Sequence, residues 1–183
     1  MKLTKIMVIM LALSGLVFIA CGGGSAKQPT GPKEVFSPDW YGVETENDTY
    51  LFCYGNGEKV SQNMSEQAAI ANGMAEAANR VEAHVKSMTK NFMSESGVDN
   101  PEVVALTEQA TKVVANQKFN GTTITKRKTY TMENGRYKTF VQVAIPKADV
   151  NKATVDRIKK EESLYNRFRA SQSFEELDKE INK

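Results

Sequence analysis

The sequence predicts an α+β fold: a small three-stranded antiparallel sheet, a long helix and a second helix packed on one face, and a C-terminal helical extension. Three observations carry this. Ile70, Met74, Ala77, Val81, Val85, Met88 and Phe92 recur at steps of three and four, the period of one helical face. A threonine-rich run at 122–132 and an alternating run at 137–145 flank Asn134-Gly135, the strongest short hairpin signal. The aromatic run Tyr50-Leu-Phe-Cys-Tyr54 supplies a third strand ahead of the long helix. Helices gathered on one face of an antiparallel sheet define the α+β layout.

Taken in order, the chain leads into the fold through Pro38-Asp-Trp40, and Trp40 is expected to plug one end of the core. After the first strand, Gly55-Asn56-Gly57 predicts a bulge or turn. The long helix is expected to open at Ser65, a favourable N-cap with Glu66 in the first turn. Its first half is loaded with alanine: Ala68, Ala69, Ala71, Ala75, Ala77 and Ala78. Small side chains let a helix lie close to a sheet or to another helix. Gly73, inside that run, costs about 1 kcal/mol of helix propensity relative to alanine. Close approach of another backbone would be a reason to keep it. Gly97 is the expected C-cap.

The second helix starts after Asn100, with Pro101 at its first position and Val103, Val104, Leu106, Ala110, Val113 and Val114 on its apolar side. Asn120-Gly121 is expected to close it. In the return strand Tyr137, Thr139, Val141, Val143 and Ile145 share one face, and Pro146 stops it. From 150 on a sparse stripe of Val150, Val155, Ile158, Tyr165 and Phe168 predicts helix, and Ser173-Phe-Glu-Glu176 resembles a capping box that opens a short last one. The rest of this tail is charged. It suits either the surface of the domain or a neighbouring subunit.

The N-terminus has its own logic. Lys2 and Lys5 precede an apolar run at 6–20 that only Ser14 and Gly15 interrupt. A membrane-crossing helix needs about 20 apolar residues, so this run is too short to span and suits a secretory signal. Phe18-Ile19-Ala20-Cys21 resembles the lipobox of bacterial lipoproteins, although Phe18 replaces the usual Leu and Ile19 is bulkier than usual. That resemblance implies acylation at Cys21 and cleavage before it. Each buried methylene adds about 0.8 kcal/mol, so three acyl chains form a firm anchor. The glycines after Cys21 suit a flexible tether. Gly22, rather than Asp, favours the outer membrane under the enteric sorting rule, and a periplasm-facing position is expected. The divisions are thus 1–20 signal peptide, 21–37 tether, 38–150 domain and 151–183 charged helical extension.

The net charge is +2, and two of the lysines belong to the signal, so the rest of the chain is near neutral. Without a basic field, nucleic acid is not an expected partner. With Cys21 assigned to lipid, Cys53 stands unpaired in an apolar strand and reads as a buried thiol. The single histidine, His84, lacks the clustered partners that a metal site requires. No Gly-x-Ser-x-Gly elbow or complete phosphate loop occurs. No catalytic residue, metal or cofactor is expected. Lys126-Arg127-Lys128 reads as an edge strand guarded by charge, or as a contact for anionic lipid or glycan.

The order of motifs from Pro38 to about Lys160 resembles a family named for an outer-membrane lipoprotein of roughly twenty kilodaltons, which includes lipoproteins of the flagellar outer-membrane collar. The carrying features are Cys21, Pro38-Asp-Trp40, Gly55-Asn-Gly57, the alanine-rich run from Ser65, Val85-Lys-Ser-Met88, and Gly135-Arg-Tyr-Lys-Thr-Phe-Val-Gln-Val-Ala-Ile-Pro146. The resemblance implies an oligomerising α+β module without catalytic residues. Its expected partners are the membrane, through the lipid, and either further copies or other envelope proteins. A non-enzymatic, self-associating scaffold is the first reading. A periplasmic module that binds glycan, lipid or a small molecule is the alternative. Trp40, Tyr54, Gly73 and Met74 are the candidate pocket or interface residues.

Overall fold

The computed structural model describes residues 36–182. The signal segment, the lipidation site Cys21 and most of the tether lie outside them. The elements are β1 (Tyr50–Lys59), α1 (Gln62–Glu95), α2 (Pro101–Ala115), β2 (Thr123–Thr131), β3 (Tyr137–Pro146), α3 (Lys147–Lys159), α4 (Glu162–Phe168) and α5 (Gln172–Ile181). The sheet is antiparallel with order β1-β3-β2. The α+β layout is therefore the one the sequence predicts.

β3 holds the centre, and Phe140 to Ile145, on both of its faces, are all buried. Towards α1 it presents Thr139, Val141, Val143 and Ile145. These meet Leu51 and Cys53 of β1 and Ala69, Ala77, Val81 and Val85 of α1 in the first core cluster. The opposite face carries Phe52, Tyr54, Phe140 and Gln142. Tyr41 covers part of it, with its ring edge-on to Tyr54 at 5.3 Å and to Phe140 at 4.9 Å. Trp40 stacks outside Tyr41 at 6.1 Å and is only half-buried. The aromatic that reaches the sheet is thus Tyr41, one position after the tryptophan expected there.

The long helix begins earlier than its sequence suggests. Ser61, not Ser65, is the N-cap, and its hydroxyl accepts from Met64 N. Ser65 is fully buried, with Oγ 2.8 Å from Gly57 O and 2.9 Å from Thr139 Oγ1. A buried hydroxyl is tolerated because it is hydrogen-bonded. The buried stripe also differs at this end. It runs Ser65, Ala69, Gly73, Ala77, Val81, Val85, Thr89 and Phe92, so Ala69 and Gly73 face the sheet while Ile70 and Met74 stand one position round.

The reason lies in β1. Gly55-Asn56-Gly57 is neither a turn nor a bulge; it continues the strand, paired in regular register with 139–141 of β3. The glycines let α1 drop onto the sheet. A Cβ built on Gly55 would lie 2.1 Å from Ala69 O and 2.3 Å from Gly73 N, and one on Gly57 would lie 2.7 Å from Ser65 O. The helix backbone occupies the space that side chains would need.

α2 opens at Asn100, which accepts from Glu102 N, with Pro101 in its first turn as the sequence predicts. It closes at Asn116, before the Asn120-Gly121 expected to end it, and 116–122 form a loop. The C-terminal extension lies on the domain. Val155, Ile158, Leu164, Phe168 and Phe174 join Phe92, Val103 and Ala110 in a second core cluster. The described residues from Ser37 onward form one compact unit. The last helix is capped by Ser171, which accepts from Phe174 N, rather than by Ser173. Ser173 instead donates to Glu95 at the end of α1.

Candidate interaction surfaces

The four candidate residues occupy three separate places. Tyr54 lies on the sheet face away from α1. Its hydroxyl donates to Glu44 O at 2.7 Å and accepts from Gln142 Nε2 at 2.9 Å. Tyr41 and then Trp40 stack beside it. Gly73 is buried beneath α1, where a Cβ would meet Val143 Cγ2 at 3.0 Å and Val141 Cγ2 at 3.3 Å. It shares its crossing point with Gly55, the close backbone approach that its position in a helix requires. Met74, next in sequence, is exposed and lines a cleft.

The thiol and the imidazole are both occupied structurally. Cys53 is completely buried, and that burial pushes its thiol up to about 11, away from the thiolate form that attacks or ligates. His84 Nε2 sits 3.0 Å from Asn151 Oδ1, which ties α1 to α3. Among the described residues no group of three or more His, Cys, Asp or Glu is placed to hold a metal ion. No helix among them is long and apolar enough to cross a membrane.

Two surfaces stand out. The first is a stripe on α1 that faces away from the sheet at Ala71 and Ala75 and lies to the side at its ends, where Ala68 packs beside Gly57 and Ala78 reaches a cleft. Met64, Ala68, Ala71, Ala75 and Ala78 follow one another at steps of four, three, four and three. That is the a/d spacing of a heptad seam, which holds one face toward a partner helix. The stripe contains no charge; Met64 is 51% exposed and Ala71 and Ala75 are exposed. The alanine count is visible in the sequence. What it hides is that the alanines divide, with Ala69 and Ala77 facing the sheet and the other four facing outward or to the side. The boundary of the helix and the direction of its buried face are needed to separate them.

The second surface is a cleft of about 560 Å³ between α1, the end of α2 and the loop that follows. Met74, Ala77, Ala78, Val81, Phe119 and Ile145 line it. Phe119, a lone aromatic just before Asn120-Gly121, is the one sequence signal that points to it. The β2 edge of the sheet is less suited to contact. β2 carries Lys126, Arg127 and Lys128 and a register shift between Ile124 and Lys126, and charged, bulged edges resist pairing with a second strand. Arg127 is engaged with Glu66 of α1.

Comparison with known proteins gives one match. The LPP20 lipoprotein family model aligns with residues 38–166, from the proline that opens the fold into α4. No curated protein matches, and no solved structure does. The aligned span takes in β1, α1, the hairpin and both glycine positions of the crossing, and it covers well over half of the chain. The protein therefore belongs to the LPP20 lipoprotein family, whose members are membrane-anchored lipoproteins of the cell envelope.

Proposed function

We propose that the protein is a non-enzymatic scaffold of the envelope, anchored by lipid at Cys21 in the outer membrane, facing the periplasm and self-associating through the outer face of α1. The observation that carries this reading is the uncharged Met64–Ala68–Ala71–Ala75–Ala78 stripe at heptad spacing. Alanine seams bring helix backbones close, but each alanine buries little area, so such a contact is weak in dilute solution. Anchoring changes that balance. A tether confines copies to one surface and raises their effective concentration, which converts weak contacts into assembly. The buried thiol of Cys53 and the tied ring of His84 support a role without catalysis.

The test is the mass in solution of a lipid-free form beginning at Ala26, measured by light scattering over a range of concentrations. A defined dimer or larger ring is expected at high concentration. Ala71→Glu with Ala75→Glu should return it to monomer with no loss of helix content, because both positions are exposed. An unsubstituted protein that is monomeric at every concentration and also fails to cross-link to itself when tethered to vesicles through Cys21 would rule out assembly through this face.

A further inference from the structure

We propose that the corner between α1, the end of α2 and β3 binds a long-chain fatty acid, with its hydrocarbon in the cleft beside Met74 and its carboxylate at Lys118. The cleft has the volume of a small-molecule site, for which about 300–1,000 Å³ is typical. Its floor is apolar and closed: Val81 and Ile145 are each 1% exposed. Ala77 and Ala78 leave the space that larger side chains would fill, and Phe119 stands at the loop side.

Charge decides the kind of occupant. Gln117, Lys118 and Phe119 also line a neighbouring cleft, on the side of α3. There Lys118 is joined by Lys152, Arg157 and Lys160, opposed by Asp149 and Asp156. The excess is cationic even with Arg157 Nη2 4.0 Å from Glu161. Arg157 Nε is buried without a hydrogen-bond partner among the described residues, a donor still to be satisfied. Lys118 is the one charged residue that lines the apolar slot, and it stands in the wall shared with that cationic cleft, an arrangement that fits one hydrocarbon chain ending in one carboxylate.

The wall between the two clefts is preformed. Thr122 N donates to Phe119 O at 3.1 Å and Gln117 N donates to Val114 O at 3.0 Å. Gly121 is pressed so close to β3 and α3 that a Cβ there would meet Pro146 Cγ at 2.6 Å and Asp149 Oδ2 at 3.0 Å. Binding therefore does not have to order the loop, a cost that weakens ligand capture elsewhere.

The experiment titrates the form from Ala26 onward with cis-parinaric acid, read by fluorescence, and displaces it with palmitate. Saturable one-to-one binding is expected. Ala78→Phe, which fills the slot, should weaken it at least about tenfold. Lys118→Glu with Lys152→Glu should weaken palmitate competition by a similar factor but leave the competition of the matching fatty alcohol unchanged. Ala75→Glu, outside the cleft, should leave binding intact whatever it does to assembly. Absence of saturable binding overturns the proposal. So does binding that survives Ala78→Phe in a protein whose thermal melt is unaltered, or equal loss of acid and alcohol in the charge-reversed form.

Discussion

Glu95, at the last position of α1, shows how much one exposed side chain can organise. Its Oε2 accepts from Ser171 Oγ at 2.6 Å and from Ser173 N at 2.9 Å, and its Oε1 accepts from Ser173 Oγ. These bonds, Ser171 first and then Ser173, hold its carboxyl down to about 2, from an ordinary value of 4.5. A depressed carboxylate contributes its stabilisation above the unfolded value and loses it as pH falls through the folded one. The docking of α5 should therefore be constant above about pH 4.5 and loosen between there and about pH 2. Hydrogen exchange at the amides of Ser173 and Phe174 would report it, and Glu95→Gln should abolish the pH step. The sequence suggests serine as a cap here but names the wrong one. Ser171 and Ser173 are equally good caps by type and both donate to Glu95; Ser171 is the cap because its Oγ also accepts from Phe174 N, while Glu95 takes both the hydroxyl and the backbone N–H of Ser173. The same ambiguity displaces the start of α1 from Ser65 to Ser61. In both cases a long-range partner claims the nearer serine.

At the scale of elements, the decisive contact is α1 against β1. Gly55→Ala would place a methyl against backbone atoms of Ala69 and Gly73 that cannot rotate away. Overpacking of this kind typically costs about 1–3 kcal/mol, and a backbone clash belongs at the upper end or beyond. Gly73→Ala meets only the methyls of Val143 and Val141, at 3.0 and 3.3 Å, and regains about 1 kcal/mol of helix propensity. Urea unfolding of the two variants should thus separate them, with Gly55→Ala much the less stable. Element type was legible from the sequence wherever periodicity ran long: α1, the hairpin at Asn134-Gly135, and the Pro101 start of α2. By sequence Gly55-Asn56-Gly57 suits a bulge or turn, because glycine in a strand and glycine in a turn look alike locally. Only the helix lying over them distinguishes the two. The interaction surfaces were less legible still. Composition shows that α1 is rich in alanine, but which alanines face outward depends on where that helix begins and how its buried face rotates along the sheet.

For the whole molecule, the arrangement of the two core clusters follows from one long helix serving both. At 1.5 Å per residue α1 is about 50 Å long, with its first part on the sheet and its last turns among α2 and the C-terminal helices. The family match ends at Asn166, inside α4, yet Phe168 and Phe174 are buried against Phe92. A protein stopped after Asn166 loses two buried aromatics, Phe168 and Phe174, so it should expose Phe92 and lose more than the roughly 3–5 kcal/mol typical for removal of one. Its thermal melt and its binding of a hydrophobic dye would reveal the loss. The α+β class was legible in the sequence because strands and helices announce themselves through period. The charged tail's place was not, since five buried side chains spread over three short helices leave no continuous pattern. The glycine crossing also constrains how the family's sequences can drift. A relative that acquires a side chain at the position of Gly55 must lift its long helix off the sheet. The gap opened over Val141 and Val143 would then call for bulkier residues there, so the three positions should change together across evolution or not at all.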